Sequence, residues 1–156
     1  MILIPLFQIV IFIGFLLYVV KQYGVQPSIS DSWYVLKDHN KEYLFTFFIW
    51  ALSIPILFLS HISGFYFASA AFLSVVGVAT MFKEDHVERV HVIGALGGIF
   101  FALLALLLEG IWLPLVGTSL ISLYLRYKKI SNLTWWVEIV AFACIELGLL
   151  YKFIVG

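Results

Sequence analysis

Ser28, Ser30, Asp31 and Ser32 crowd three hydroxyls and a carboxyl into one short stretch of a chain that is otherwise strongly apolar. Such a stretch can form the rim of a polar pocket, with Ser30 and Asp31 as candidate catalytic or binding groups. It can equally be a turn, because Ser and Asp side chains hydrogen-bond nearby backbone and cap helices. The hydroxyls exceed what one cap needs, so both readings stand.

Two acids lie deeper. Glu138 and Glu146 sit in the last apolar run. Eight residues of helix bring side chains to within about 80° of one another, so one interior-facing side can hold both. If that run starts near residue 132, Glu138 lies roughly 9 Å and Glu146 roughly 21 Å into the bilayer. Ionisable groups at such depth are costly and face protein or water. They form part of a proton, ion or solute path, or they are structural. In the second case Glu146 carries its proton and hydrogen-bonds Thr118, Ser119 or Ser122 of the preceding run.

The third group is the run Lys83-Glu84-Asp85-His86-Val87-Glu88-Arg89-Val90, followed by His91. His86 and His91 are candidate metal ligands with Asp31. Their five-residue spacing turns them about 140° apart on a helix, so they form no His-x-x-x-His site. Glu88 and His91 share a face and can pair. Asp85 and Arg89 can form a surface ion pair, and Asp85 with Glu88 has a spacing like that of a capping box. A solvated, capped helix start is therefore the plain alternative. A functional site would need Asp31, His91 and Glu138 to converge. No phosphate loop, Gly-x-Ser-x-Gly elbow or His-Glu-x-x-His occurs.

The elements that must position these groups are membrane helices. Of the 156 residues 63% are hydrophobic and 12% charged, and mean hydropathy is +1.09. Soluble domains are about half apolar and a quarter charged, so the solvent here is expected to be mostly lipid. Net charge is zero, which argues against a nucleic-acid partner. The single Cys144 excludes an intramolecular disulfide. The first apolar run has no basic segment before it and no small-x-small cleavage pattern after it, so it is expected to be retained as a span rather than removed as a signal.

Apolar runs predict an all-α, six-helix membrane bundle in a single domain, with spans at about 2–20, 43–60, 65–82, 87–108, 112–126 and 132–153. Pro55 is expected to kink the second span, whereas Pro114 lies harmlessly in the first turn of the fifth. Ser131 is a candidate N-cap for the sixth. Ala70 and Ser74, with Gly77 beyond them, and Gly94 with Gly98 form small-residue stripes that allow close helix packing. His61 and Glu109 fall in tight turns and could pair with each other. The loops at about 21–42, 83–86 and 126–131, with their flanks, carry Lys21, Lys37, Lys41, Lys83, Arg89, Arg126, Lys128 and Lys129, leaving only Lys152 for the other side. The positive-inside rule then puts these loops in the cytoplasm and both termini on the non-cytoplasmic side of the cell (inner) membrane.

The stretch Ser28-Ile29-Ser30-Asp31-Ser32-Trp33-Tyr34, two spans, and a polar loop leading to His91 resemble a family of small bacterial and archaeal multi-pass membrane proteins of unassigned function. Those carry a Ser-Ile-Ser-x-x-Tyr-type motif after the first helix and a His at the start of the fourth. The resemblance covers about residues 20–108 and implies a topology more than an activity. Trp33 stands where that family often has tyrosine. A weaker resemblance is to the membrane hydrolases that include alkaline ceramidases and adiponectin-receptor-like proteins, which implies a zinc site at Ser30, Asp31, His86 and His91. The chain departs from that superfamily in having Glu138 and Glu146 where its last helix carries His-x-x-x-His, and six spans rather than seven.

The expected function is that of a small, non-enzymatic integral membrane protein with a cytoplasm-facing polar vestibule. It would act through the bilayer lipid, a small solute, or association with itself or other membrane chains, and need no cofactor. The first alternative is a metal-dependent membrane lipid hydrolase using Asp31, His86, His91 and Glu138, with zinc as the candidate metal. The second is a small proton-coupled transporter gated around Glu146 and Pro55.

Overall fold

The structure, a computed structural model, describes residues 1–82 and 87–155, with side chains at 1–80 and 89–155. It is all-α, with no strand among the described residues. The helices are α1 (Leu3–Tyr23), α2 (Ser32–Asp38), α3 (Glu42–Leu57), α4 (Gly64–Phe82), α5 (Val87–Leu108), α6 (Leu113–Tyr127) and α7 (Leu133–Val155). By length and apolar composition, Leu3–Tyr23 and Arg89–Leu108 can each cross a membrane, while Glu42–Leu57 and Gly64–Thr80 are shorter apolar helices.

Two differences from the sequence-based expectation have clear physical causes. The polar loop after α1 contains α2, because Trp33 and Leu36 are three apart and both buried, giving a short helix an inner face. The span expected to reach about residue 60 is shorter: Pro55 lies inside α3, which ends at Leu57. Proline cannot donate a bond to the carbonyl four residues back. The chain then tightens into three-residue turns, with Phe58 N–H donating to Pro55 O (3.1 Å) and Leu59 N–H to Ile56 O (2.9 Å).

The helices gather into two compact units. The first comprises Met1–Asp31 and Leu106–Gly156, and the second Ser32–Ala105.

In the first unit α7 packs on α1 and α6. Phe12 stacks on Phe142 with ring centroids 3.7 Å apart. Gly148 lies against Pro114 and Leu106, where a methyl group would collide with the proline ring, and Gly117 faces Cys144. Gly110, at φ +81°, makes the tight turn before α6. Beside it, Glu109 forms an ion pair with Lys152 (2.6 Å) near the end of α7.

In the second unit Thr46 of α3 hydrogen-bonds Thr80 of α4 across 2.7 Å. Gly77 admits the Trp50 and Ile49 side chains of α3. A different side of α4 meets α5: Gly94 abuts Val76 and the Phe72 carbonyl, Gly97 the Phe72 ring, and Gly98 the Leu73 side chain. Ser69 seals this seam by donating to Gly98 O (2.7 Å). The two small-residue stripes therefore do not face each other. Gly77, in register with Ala70 and Ser74, faces α3, whereas Gly94 and Gly98 receive large side chains of α4.

Candidate functional site

The polar stretch before α2 is bound to the beginning of α7. Gly24, at φ +80°, ends α1, and its N–H donates to Val20 O (3.0 Å). The chain then runs along the first turns of α7 and touches them in three places. Asn132, itself at φ +54° just before the helix, donates from Nδ2 to Val25 O (3.3 Å). The Trp135 N–H donates to Pro27 O (3.1 Å). The Ile29 N–H donates to Glu138 Oε2 (2.6 Å).

The first amides of any helix lack an intrahelical acceptor. Pro27 supplies one to α7, from more than a hundred residues away in the chain. Pro27 O thus provides at the helix start the acceptor that the sequence suggests Ser131 would provide, while Asn132 ties the Val25 carbonyl to the same place.

Two of the three hydroxyls are spent within the turn, whereas Ser32 Oγ is buried with no hydrogen-bond partner among the described residues. Ser28 Oγ donates to Asp31 Oδ2 (2.8 Å) and accepts from Asp31 N–H (3.1 Å). Ser30 Oγ lies 2.8 Å from Ser28 Oγ. Because the Ser28 proton goes to Asp31, Ser30 donates in that pair. The result is a short relay, Ser30 to Ser28 to Asp31, with Glu138 holding the backbone between Ser28 and Ser30. Ser28-x-x-Asp31 is a capping-box spacing, and it leads directly into α2.

Glu146 lies two helical turns further along α7 and is 1% exposed. Its expected bridge to α6 is not made. Ser119 donates instead to Leu115 O (2.9 Å), and Thr118 Oγ1, Ser122 Oγ and Glu146 Oε2 have no hydrogen-bond partner among the described residues. The reason is rotational. Cys144 and Gly148 of α7 face Gly117 and Pro114 of α6. Glu146, two positions from either, is turned about 200° away. It lines instead an apolar cavity of about 270 Å³ between α1 and α7, with Phe12, Leu16, Phe142 and Ala143 among the other walls.

His91 belongs to the second unit, and Asp31 and Glu138 to the first. The imidazole is 1% exposed. It stands edge-on to Trp33 at 5.9 Å and tilted to Phe45 at 5.6 Å, in an aromatic pocket. Lys37, one turn along α2, places Nζ 4.8 Å from the Trp33 ring centre, a cation–π contact.

His86 and Asp85, and the side chain of Glu88, lie outside the described residues. So do the Asp85–Arg89 pair, the Asp85–Glu88 cap and the Glu88–His91 pair. No group of three His, Cys, Asp or Glu is placed to hold a metal ion among the described residues. Of the turn residues, His61 bonds the Phe58 carbonyl through Nδ1 (2.7 Å), and Glu109 engages Lys152.

Sequence reasoning singles out Ser28, Asp31 and Glu138 but misses Pro27 O, Ile29 N–H and Trp135 N–H, because backbone groups carry no residue-type signature. It also misses Gly97. The capping-box spacing of Ser28 and Asp31 was the available signal for α2.

No protein-family model, curated protein or solved structure matches the chain.

Proposed function

We propose that this chain is a small six-span protein of the cell (inner) membrane, in which every helix except α2 crosses the bilayer and both termini lie on the non-cytoplasmic side. Its role is non-enzymatic. The clasp of residues 25–31 on α7 forms the floor of a cytoplasm-facing polar vestibule that meets lipid, a small solute or a partner chain.

The observation that carries this reading is an inverted distribution of polarity. Gln8, Ser32, Ser53 and Ser69 are fully buried, while Leu3, Val10, Leu17, Ile93, Leu96 and Phe100 are exposed. The first three of these are spaced by seven along α1, and the last three lie on one face of α5. Water would favour the reverse arrangement, and hydrocarbon favours this one.

Cysteine accessibility tests the reading. In a Cys144→Ser background, Lys41→Cys and Lys129→Cys should react with a membrane-impermeant maleimide only after permeabilisation. His61→Cys should react in intact cells. Labelling of Lys129→Cys without permeabilisation overturns the orientation.

One observation favours a second reading, proton-coupled transport: the Glu146 carboxyl, buried with one oxygen unpartnered among the described residues and set beside a cavity. That reading fails if Glu146→Gln, reconstituted in proteoliposomes, leaves proton movement across the bilayer unchanged.

A further inference from the structure

The end of α6 carries chemistry that the polar vestibule does not use. Ser119, Ser122, Leu123 and Arg126 recur at three- and four-residue steps along one face of α6. With Leu133 and Val137 of α7 they line a groove of about 460 Å³. Its exposed surface is almost wholly apolar, and Arg126 is the one charged residue that lines it among the described residues. Between Gly110 and Val137 the ionisable side chains that carry charge are Arg126, Lys128 and Lys129, with no acid among them. The acid that follows, Glu138, is turned to the Ile29 amide. Arg126, Lys128 and Lys129 make no ion pair among the described residues. Lys128 instead sits 5.7 Å from the Tyr124 ring centre and 6.0 Å from that of Tyr127. Both tyrosines are exposed, as expected of side chains at the level of lipid headgroups.

An apolar groove lined by an uncompensated cation, with two more cations two and three residues further along the chain, matches a molecule with an apolar tail and an anionic head. A soluble anion would gain nothing from Leu123, Leu133 and Val137, and a zwitterionic lipid would leave the positive charge unbalanced. We propose that the α6–α7 groove holds an anionic phospholipid of the cytoplasmic leaflet, with its phosphate at Arg126, Lys128 and Lys129 and an acyl chain along Leu123, Leu133 and Val137. The leaflet assignment rests on the orientation proposed above. The chemistry of the groove does not.

The test is native mass spectrometry of the full chain in a neutral detergent. The protein is offered phosphatidylglycerol and phosphatidylcholine with identical acyl chains in equal amount. Phosphatidylglycerol should be retained preferentially. Arg126→Ala with Lys128→Ala should lower that preference by about fivefold or more, and Arg126→Lys should restore part of it. Lys41→Ala, which removes a cation from the other unit, should leave it unchanged. Leu123→Trp fills the groove from a position already 63% exposed and keeps all three cations, so it should reduce bound lipid without unfolding the chain. Glycerol 3-phosphate and inorganic phosphate should not displace the lipid.

Equal retention of the two lipids, a preference that survives the double variant, or full lipid retention by Leu123→Trp would each overturn the site. Displacement by phosphate would overturn it in favour of a free-anion site. A lost lipid preference with Lys129→Cys still shielded in intact cells removes only the lipid site. A retained preference with Lys129→Cys labelled from outside removes only the orientation.

Discussion

The start of α7 and the seam between α4 and α5 are held together by opposite means. At α7, distant segments are joined by directional bonds: Pro27 O, Ile29 N–H and Val25 O each meet a named partner on or just before the helix. At the seam, what matters is what is missing. Gly94, Gly97 and Gly98 have no side chains, and Val76, Phe72 and Leu73 occupy the space. A bonded junction loses stability when one partner is removed, because the other is left buried and unsatisfied. A packed seam loses stability when atoms are added, because well-packed neighbours cannot all give way. The two regions should therefore respond oppositely to truncation and to enlargement.

The largest effect is expected at the seam. A Cβ on Gly94 would meet the Phe72 carbonyl, a backbone atom that cannot rotate aside, as well as Val76. Gly94→Leu should destabilise by about 3 kcal/mol, the upper end for overpacking. Helicity followed through an SDS titration in mixed micelles would measure it. An unchanged midpoint would mean that the helices are not this close.

The junction should give the next largest effect. Glu138→Ala leaves the Ile29 amide without its acceptor, which costs about 1–3 kcal/mol for a buried group. Glu138→Gln keeps an acceptor oxygen and should cost less than half as much. Hydrogen exchange at the Ile29 amide separates the two: protection should vanish in the alanine variant and persist in the glutamine one. Equal exchange in both would break the contrast drawn above.

These regions also differ in how far they can be read from sequence. The long apolar runs make the helices legible, since they far exceed strand length and lack a two-residue alternation. Gly94 and Gly98 are legible as a close-packing pair, although their partners Leu73 and Val76 are not, because large apolar side chains recur on every face of so apolar a helix. Glu138 is legible as a costly residue. Its partner is not, because the Ile29 amide lies more than a hundred positions away and looks like any other amide. The hydroxyl-rich stretch is legible as polar but ambiguous in role. Its Ser28–Asp31 spacing marks a helix start, yet α2 is seven residues long and sits in a segment otherwise typical of a loop. The expected Glu146 bridge fails for a further reason. Helix period alone does not say which neighbour a face meets, and the glycine at 148 that turns α7 toward α6 is identifiable only in three dimensions.

Within the seam itself, Ser69 offers a smaller and opposite test. It is a directional bond set in a packed interface. Ser69→Ala removes the donor to Gly98 O but leaves the helices free to stay in contact, and that carbonyl keeps its place in the helix ladder. With α4 and α5 in the bilayer, as proposed, a hydrogen bond between them is worth about 0.6 kcal/mol, so the SDS midpoint should shift only slightly. A loss several times larger would show that the seam depends on bonding as much as on space.

The smallest effect is expected at the far end of α7, where both kinds of contact occur together. Gly148 packs against Pro114 and Leu106, and Lys152, one turn on, pairs with Glu109. The two charged side chains are 18% and 17% exposed, so water still screens the pair. Ion pairs of this kind contribute about 0–1 kcal/mol once the entropy of ordering two long side chains is counted. Glu109→Gln, Lys152→Met and the double variant form a cycle whose coupling should be about 0.5 kcal/mol at low salt and fall as salt is added. A coupling of zero would assign this end of α7 to the Gly148 contact alone, making it a second packed seam. A coupling of several kcal/mol that ignores salt would place the pair out of reach of water, and this end of α7 would then resemble the bonded junction at its start.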